Sequence, residues 1–226
     1  MKSTIRFKEF LMHYLGQWLV HPINRRRVLF FCMPKCGSTS FRPVAGFYGI
    51  EIHNHDLRDP KWRELHQRED LEEKFCFTTI RNPVERIHSA WRFLSTGGLN
   101  DDDATDAKKW LVENESFNDF VLRSFGADDA PILAQIHFRP IVSWITNERG
   151  ELVVDAIFRL DEMEYLGNRF LPKILGCKWK YEGYKASNIS KKKSEGDVPI
   201  TPNALKLLER TYSEDIKLWN QVANRK

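Results

Sequence analysis

The chain has 226 residues, 42% of them apolar, enough to build a hydrophobic core and to exclude an intrinsically disordered or collagen-like protein. Its 35 Lys and Arg against 31 Asp and Glu leave a net charge of only +4. That balance permits an anionic ligand but lacks the basic footprint of a nucleic-acid-binding domain, so no nucleic-acid partner is expected.

Residues 1–26 place Phe10, Leu11, Tyr14, Leu15, Trp18 and Leu19 at helical spacing among charged residues. They predict an N-terminal amphipathic extension packed on the core, too short and too polar for a transmembrane segment. The continuous apolar run Val28-Leu29-Phe30-Phe31-Cys32-Met33 predicts a strand buried on both faces, as in a parallel sheet. Pro34-Lys35-Cys36-Gly37 breaks it, and Ser38-Thr39-Ser40 can start a helix. A second strand is expected from Tyr48 to Ile52, ending in His53-Asn54-His55-Asp56, and a solvated helix over the charged residues 62–74. Phe75-Cys76-Phe77-Thr78-Thr79-Ile80 has the strongest strand composition. After it, Asn82 can cap a helix whose first position is Pro83. Gly97 to Asp106 has the composition of a mobile loop.

Further along, Phe117 to Phe125 reads as a helix, Val153 to Leu160 contains a strand, and a helix follows from Glu164 to Leu175. Residues 185–197 form a polar, lysine-rich loop. Thr201-Pro202 opens a helix running to about Val222, with Leu205, Leu208, Tyr212, Ile216 and Trp219 on one face. Strands alternating with helices predict an α/β fold with a mainly parallel central sheet, as a single domain with its core over 27–222. The four cysteines, Cys32, Cys36, Cys76 and Cys177, are too scattered for a disulfide scaffold and lack the spacing of a metal site. Free thiols in a cytoplasmic setting are expected.

In such a sheet, ligands bind beyond the carboxyl ends of the strands. Three strand ends are polar here: Pro34 to Ser40, His53 to Asp56, and Arg81 to Ser89. A strand turning tightly at Gly37 into a helix aims backbone N–H groups and the helix dipole outward, which suits a phosphate or a similar oxyanion. Lys35 adds a positive charge, and Ser38, Thr39 and Ser40 add hydroxyl donors. The ATP-binding spacing is absent, because Lys35 precedes the glycine, and Arg81 stands where a magnesium-binding Asp would end the third strand. The bland alternative is an ordinary strand-to-helix turn. Arg81 at a strand tip and Ser89 in the following helix can reach one oxyanion together. A strand-end Arg can equally be structural, and Arg86 reads as a salt-bridge partner or a solvated residue.

The pair Pro34-Lys35-Cys36-Gly37-Ser38-Thr39-Ser40 and Ile80-Arg81-Asn82-Pro83-Val84-Glu85-Arg86-Ile87-His88-Ser89-Ala90-Trp91 closely resembles the sulfotransferases that use 3′-phosphoadenosine 5′-phosphosulfate (PAPS), in particular the carbohydrate group with its heparan and chondroitin enzymes and bacterial homologues. Three further segments are similar to that group: Ile136-His137-Phe138-Arg139-Pro140, Phe158 to Glu164, and Asn188-Ile189-Ser190 with the terminal helix carrying Tyr212, Asp215 and Trp219. The resemblance covers residues 27–222 and implies a P-loop-like sulfotransferase fold.

It also implies roles. Pro34, Lys35, Cys36, Gly37, Ser38, Thr39 and Ser40 would hold the 5′-phosphosulfate, with Lys35 also catalytic at the bridging oxygen. Arg81 and Ser89 would hold the 3′-phosphate. Sulfuryl transfer asks mainly for in-line positioning and charge stabilisation, and the donor carries its own activated group, so no metal is expected. Phe138 stands where the group usually has Trp, and Ile141 where Gln is common, which bears on the acceptor more than on the donor.

An acceptor hydroxyl must also lose its proton, a task that suits a neutral His. His55 is the first candidate and His53 the second, because both follow the second strand. His137 competes as base or acceptor contact, and Asp56 or Glu162 could serve as a carboxylate base. His53 and His55 can each instead be a loop residue bonded to backbone. Lys191–Lys193 would either reach the donor or form a solvated loop, and Trp62, Trp91, Trp110, Trp144 and Trp179 would stack on a ligand or fill the core. The sequence thus predicts a PAPS-dependent sulfotransferase acting on a hydroxyl, with a carbohydrate as the expected acceptor. The rivals are a P-loop phosphotransferase, which a magnesium-dependent ATP site would favour, and a non-catalytic anion-binding module, which donor binding without turnover would favour.

Overall fold

The computed structural model describes residues 28–54, 74–127, 129–147, 149–177, 181 and 199–224. The expected N-terminal extension, all but Lys74 of the helix expected over 62–74, His55, Asp56, Trp62, Trp179, Asn188-Ile189-Ser190, Lys191–Lys193 and the loop 185–197 lie outside the described residues.

Strand β1 (Val28–Cys32) is buried at every position, as its unbroken apolar run requires when both faces are covered. It leads through a turn into helix α1 (Ser38–Tyr48). Strands β2 (Glu51–Asn54), β3 (Phe75–Ile80) and β4 (Ala156–Arg159) complete a four-strand parallel sheet of order β2-β1-β3-β4. In its registers Phe31 of β1 lies opposite His53 of β2 and Thr78 of β3. The Thr78 hydroxyl donates to the Phe31 carbonyl at 2.7 Å, so this buried polar group is satisfied inside the sheet. The α/β fold with a parallel sheet agrees with the sequence reading.

Between β3 and β4 come α2 (Pro83–Ser95), α3 (Asp101–Trp110), α4 (Phe117–Phe125) and short helical turns; α5 (Pro202–Thr211) and α6 (Ser213–Ala223) follow β4. By its contacts the chain forms two compact units. Among the described residues, one contains 28–32, 37–54, 74–79, 145–177 and 181, and the other contains 33–36, 80–144 and 199–224. The first unit is built on the sheet. Phe30, Phe41, Phe77 and Phe158 meet ring to ring in its core, with centroids from 4.2 to 6.2 Å apart. Burying each such ring stabilises the fold by about 1.5–3 kcal/mol. The second unit is helical, and its core joins Ile87, Leu94, Phe120, Phe125, Phe138 and Tyr212.

Several expected boundaries move. Tyr48 ends α1 instead of opening a strand, because its buried hydroxyl donates to the Gly167 carbonyl at 2.8 Å and Gly49, at φ 64, terminates the helix. The second strand consequently starts at Glu51. Part of the expected loop Gly97 to Asp106 is α3: the Asn100 side chain caps it by accepting from the Asp103 N–H, and Asp101, Asp102 and Asp103 fill its first turn, where the helix dipole favours acidic groups. The expected helix from Glu164 to Leu175 is interrupted by a π turn, Leu166–Phe170. The C-terminal helix divides at Tyr212, whose hydroxyl is tied to the Phe138 carbonyl.

Candidate active site

The turn after β1 carries the first candidate residues. Cys36 N–H reaches back to the Met33 carbonyl at 3.4 Å, Lys35 takes φ 61, and Gly37 takes φ 90 as the N-cap of α1. A side chain at residue 37 would run into Leu160. Glycine is therefore required there twice, by its backbone conformation and by its neighbour. Pro34 and Ser40 are buried, Thr39 is exposed, and Gly37 and Ser38 lie between. The Cys36 side chain is fully buried, and burial pushes its thiol up to about 12, so it is neither a reachable ligand contact nor a nucleophile.

Lys35 extends from this turn with its ammonium 3.8 Å above the centre of the Phe93 ring, a cation–π contact. Burial, and next the like charge of Arg81, lower the Lys35 pKa to about 8, while Asp103 pulls it back up. Lys35 and Arg81 are therefore close neighbours in charge within one unit. Two cations held together repel, and an anion shared between them relieves the repulsion.

Arg81 is the first residue after β3. Asn82 then caps α2, its side chain accepting from Val84 N–H at 3.1 Å and Glu85 N–H at 3.3 Å, and Pro83 occupies the first turn. Arg81 Nε donates to Glu85 at 3.3 Å. Ser89 follows one turn beyond Glu85, so a spacing of four puts Glu85 and Ser89 on one face of α2, with Ser89 half-buried and Arg81 tied to that face through Glu85.

The candidate bases separate. His53 is buried in β2 of the sheet unit, edge-on to Phe31 at 5.7 Å. Glu162 accepts from the Arg159 N–H at 2.7 Å, which commits its carboxylate to the turn after β4. His137 belongs to the same unit as Lys35 and Arg81. Its ring meets Phe93 edge-on at 5.1 Å, and its Nε2 lies 3.5 Å from Asp103 Oδ1. Phe93 thus touches both the Lys35 ammonium and the His137 ring.

A buried network fixes the backbone around His137. Arg86 is fully buried in α2 and donates to the carbonyls of His137 and Arg139 at 3.0 and 2.9 Å. Asp215 of α6 accepts from the N–H groups of Ile141 and Val142 at 2.8 and 2.9 Å and stands 3.7 Å from Arg86. Burial raises the Asp215 pKa, against the pull of Arg86. With the Tyr212 hydroxyl on Phe138, three residues hold the segment 137–142 by its main chain. This is the structural role that the sequence offered as one option for Arg86. Among the tryptophans, Trp144 is core, and Trp91 packs against His88 and Phe117.

Two members of the cluster were not singled out in the sequence. Phe93 is one aromatic among many on an amphipathic helix, and no signal distinguishes it. Asp103 lay in a segment of loop composition; the Asn100 cap ahead of an acidic turn is the signal that could have revealed it.

The family model described as "Sulfotransferase family" matches residues 22–220. No curated protein and no solved structure gives a significant match. With a parallel sheet, a tight glycine turn after β1 and an Arg at the tip of β3, the chain belongs to the sulfotransferase family, whose chemistry is the transfer of a sulfuryl group to a hydroxyl-bearing acceptor.

Proposed function

We propose that the protein transfers a sulfuryl group from 3′-phosphoadenosine 5′-phosphosulfate to a hydroxyl of a carbohydrate. The observation that carries the reading is the pair Lys35 and Arg81, two cations from separate strand ends, where the charge of Arg81 disfavours that of Lys35 and a bound anion would offset it. A donor with phosphates at both its 3′ and 5′ positions suits two such groups.

In this reading the Pro34–Ser40 turn holds the 5′ end through backbone N–H groups, Lys35 and the α1 hydroxyls, whereas Cys36 contributes only main chain. Arg81 and Ser89 hold the 3′-phosphate, with Arg81 exchanging Glu85 for it. The bound donor supplies an activated sulfuryl group on a phosphate leaving group. Lys35 neutralises the charge that grows on the bridging oxygen. His137 takes the proton of the acceptor hydroxyl, supported by its place on Phe93 beside Lys35; His53 and His55 are the alternatives that substitution tests. The carbohydrate acceptor rests on the likeness of the His137–Pro140 segment to the carbohydrate group. None of the four cysteines is joined in a disulfide, which fits a cytoplasmic location, and among the described residues no helix is long and apolar enough to cross a membrane.

Calorimetric titration with 3′-phosphoadenosine 5′-phosphate, compared with ATP with and without magnesium, tests the donor. Tight metal-independent binding of the bisphosphate and weak ATP binding are expected; preference for magnesium-ATP would overturn the proposal. Transfer of labelled sulfate to a panel of sugars and other alcohols then tests the acceptor class, and turnover confined to non-carbohydrate alcohols would refute that part.

A further inference from the structure

We propose that Asp103 is a positioning residue for His137, its carboxylate holding the imidazole in one tautomer and one orientation beside Lys35. This rests on the reading of His137 as the proton acceptor and deepens it.

Asp103 is itself firmly set. Its Oδ2 accepts the Leu99 N–H at 2.9 Å, and its own N–H is bound by the Asn100 cap at 2.9 Å. The backbone passes close beside it because residue 98 is glycine, at φ 70, where any Cβ would collide with the Asp103 side chain. This anchoring directs Oδ1 at His137 Nε2, 3.5 Å away, with the two side chains only 13% and 7% exposed. The His137 backbone is fixed as well, its N–H donating to Gln135 Oε1 at 2.6 Å and its carbonyl accepting from Arg86. A ring fixed at its backbone, stacked edge-on against Phe93 and faced by a carboxylate has little freedom left.

The charged groups around the ring come from each packed element. Asp103 faces it from α3. Lys35 stands on Phe93 from the turn, within reach of the charge of Arg81. Arg86 reaches its carbonyl from α2, and Asp106 accepts from the Gln135 side chain at 3.3 Å. A carboxylate at Nε2 keeps the proton there and leaves the lone pair on Nδ1. In the transfer, the acceptor O–H bond breaks as an Nδ1–H bond forms. The acceptor oxygen gains the sulfur as the bridging oxygen loses it and keeps that electron pair beside Lys35. Asp103 stabilises the resulting imidazolium. Nδ1 is buried, so its cover must shift to admit a hydroxyl while Asp103 keeps the ring in place.

The charge of Asp103 also acts on Lys35, raising its pKa, and it opposes an incoming anionic donor. The contact with His137 and the charge felt at Lys35 together give an unusual signature. Asp103→Asn, which keeps the shape and the bond to Leu99, should lower turnover at least about tenfold, move the acid limb of the pH–rate profile to lower pH, and leave binding of 3′-phosphoadenosine 5′-phosphate equal or tighter. Asp103→Glu should recover part of the turnover. Nitrogen-15 spectra of histidine-labelled protein, assigned with His137→Gln, read the same contact without turnover. They should show His137 protonated at Nε2 in the wild type and titrating at lower pH in Asp103→Asn. An unchanged His137 titration, or donor binding that falls together with turnover, would overturn the proposal. Wild-type protein that turns over no hydroxyl would sink the sulfuryl-transfer reading instead, and the spectra would still decide whether Asp103 governs His137.

Discussion

Lys35 and Arg81 lie close enough in one unit for the charge of Arg81 to help bring the Lys35 ammonium down to about pH 8. The ammonium rests on Phe93, and the charge of Asp103 offsets part of the lowering. An anion bound beside Lys35 restores its proton affinity, so donor binding and protonation are coupled. The free group is charged below pH 8 and loses its charge as pH rises through that value. Binding of 3′-phosphoadenosine 5′-phosphate should accordingly weaken by about tenfold between pH 7 and pH 9, one decade per unit once past the free pKa. Calorimetry in buffers of different ionisation enthalpy should register proton uptake near pH 8. Lys35→Arg, whose guanidinium does not titrate there, should abolish both effects. The Cys36 and Cys76 thiols, pushed up to about 12, cannot mimic the signal. A pH-independent affinity in the wild type would refute the assignment of Lys35.

Arg81 presents the reverse case, a charge with a partner already in place. Its bond to Glu85 is an i,i+4 pair whose carboxylate is 65% exposed, and such pairs contribute only about 0.3–0.5 kcal/mol. A phosphate that takes its place forms charge-assisted bonds worth roughly 1.5–3 kcal/mol. Arg81→Ala should thus weaken the bisphosphate about 10- to 100-fold while hardly affecting adenosine 5′-phosphate. Glu85→Gln should tighten the bisphosphate about twofold at low salt. Equal losses for both nucleotides in Arg81→Ala would remove the 3′-phosphate from this site.

Gly37 supports the turn in two separable ways. Its φ of 90 costs an L-residue about 1–2 kcal/mol, and an added methyl meets the Leu160 side chain. Gly37→Ala should lose about 2–4 kcal/mol in urea unfolding, in the range for strain plus overpacking. Pairing it with Leu160→Ala should remove the clash but leave the backbone cost, so the two changes should couple favourably by about 1 kcal/mol or more beyond their sum. Strict additivity would show that the contact with Leu160 is irrelevant.

The parts of the fold that local chemistry specifies were legible in the sequence. β1 was visible because burial on both faces leaves an unbroken apolar run, and the start of α2 because Asn82 and Pro83 each satisfy one requirement of a helix N-terminus. α3 was misread for a related reason: Gly, Asn and Asp favour loops and helix N-termini alike, so composition alone cannot separate them. Tyr48 carries β-favouring chemistry, but its partner is Gly167, far along the chain. The same limit applies to the site. The turn at Gly37 and the tip at Arg81 are local and could be read, whereas the meetings of Phe93 with Lys35, and of Asp103 with His137, depend on tertiary packing that no spacing encodes.

The Arg86–Asp215 pair holds the His137 segment, and its cost is asymmetric. Both side chains are essentially inaccessible, at 0% and 2% exposure, so removing one leaves the other as a buried uncompensated charge. Such a loss typically costs about 3–5 kcal/mol. Asp215→Ala also orphans the N–H groups of Ile141 and Val142, and Arg86→Met orphans the carbonyls of His137 and Arg139, so each change loosens the main chain beneath the His137 ring. The double variant leaves no unpaired charge and should be more stable than the sum of the single losses by about 1–3 kcal/mol. Its turnover should nevertheless stay low, because the segment has lost the donors and acceptors that set its path. Urea unfolding of the four proteins, with activity measured on each, separates these effects. A double variant that regains stability and full turnover would show that the network serves the core alone and does not set the position of His137.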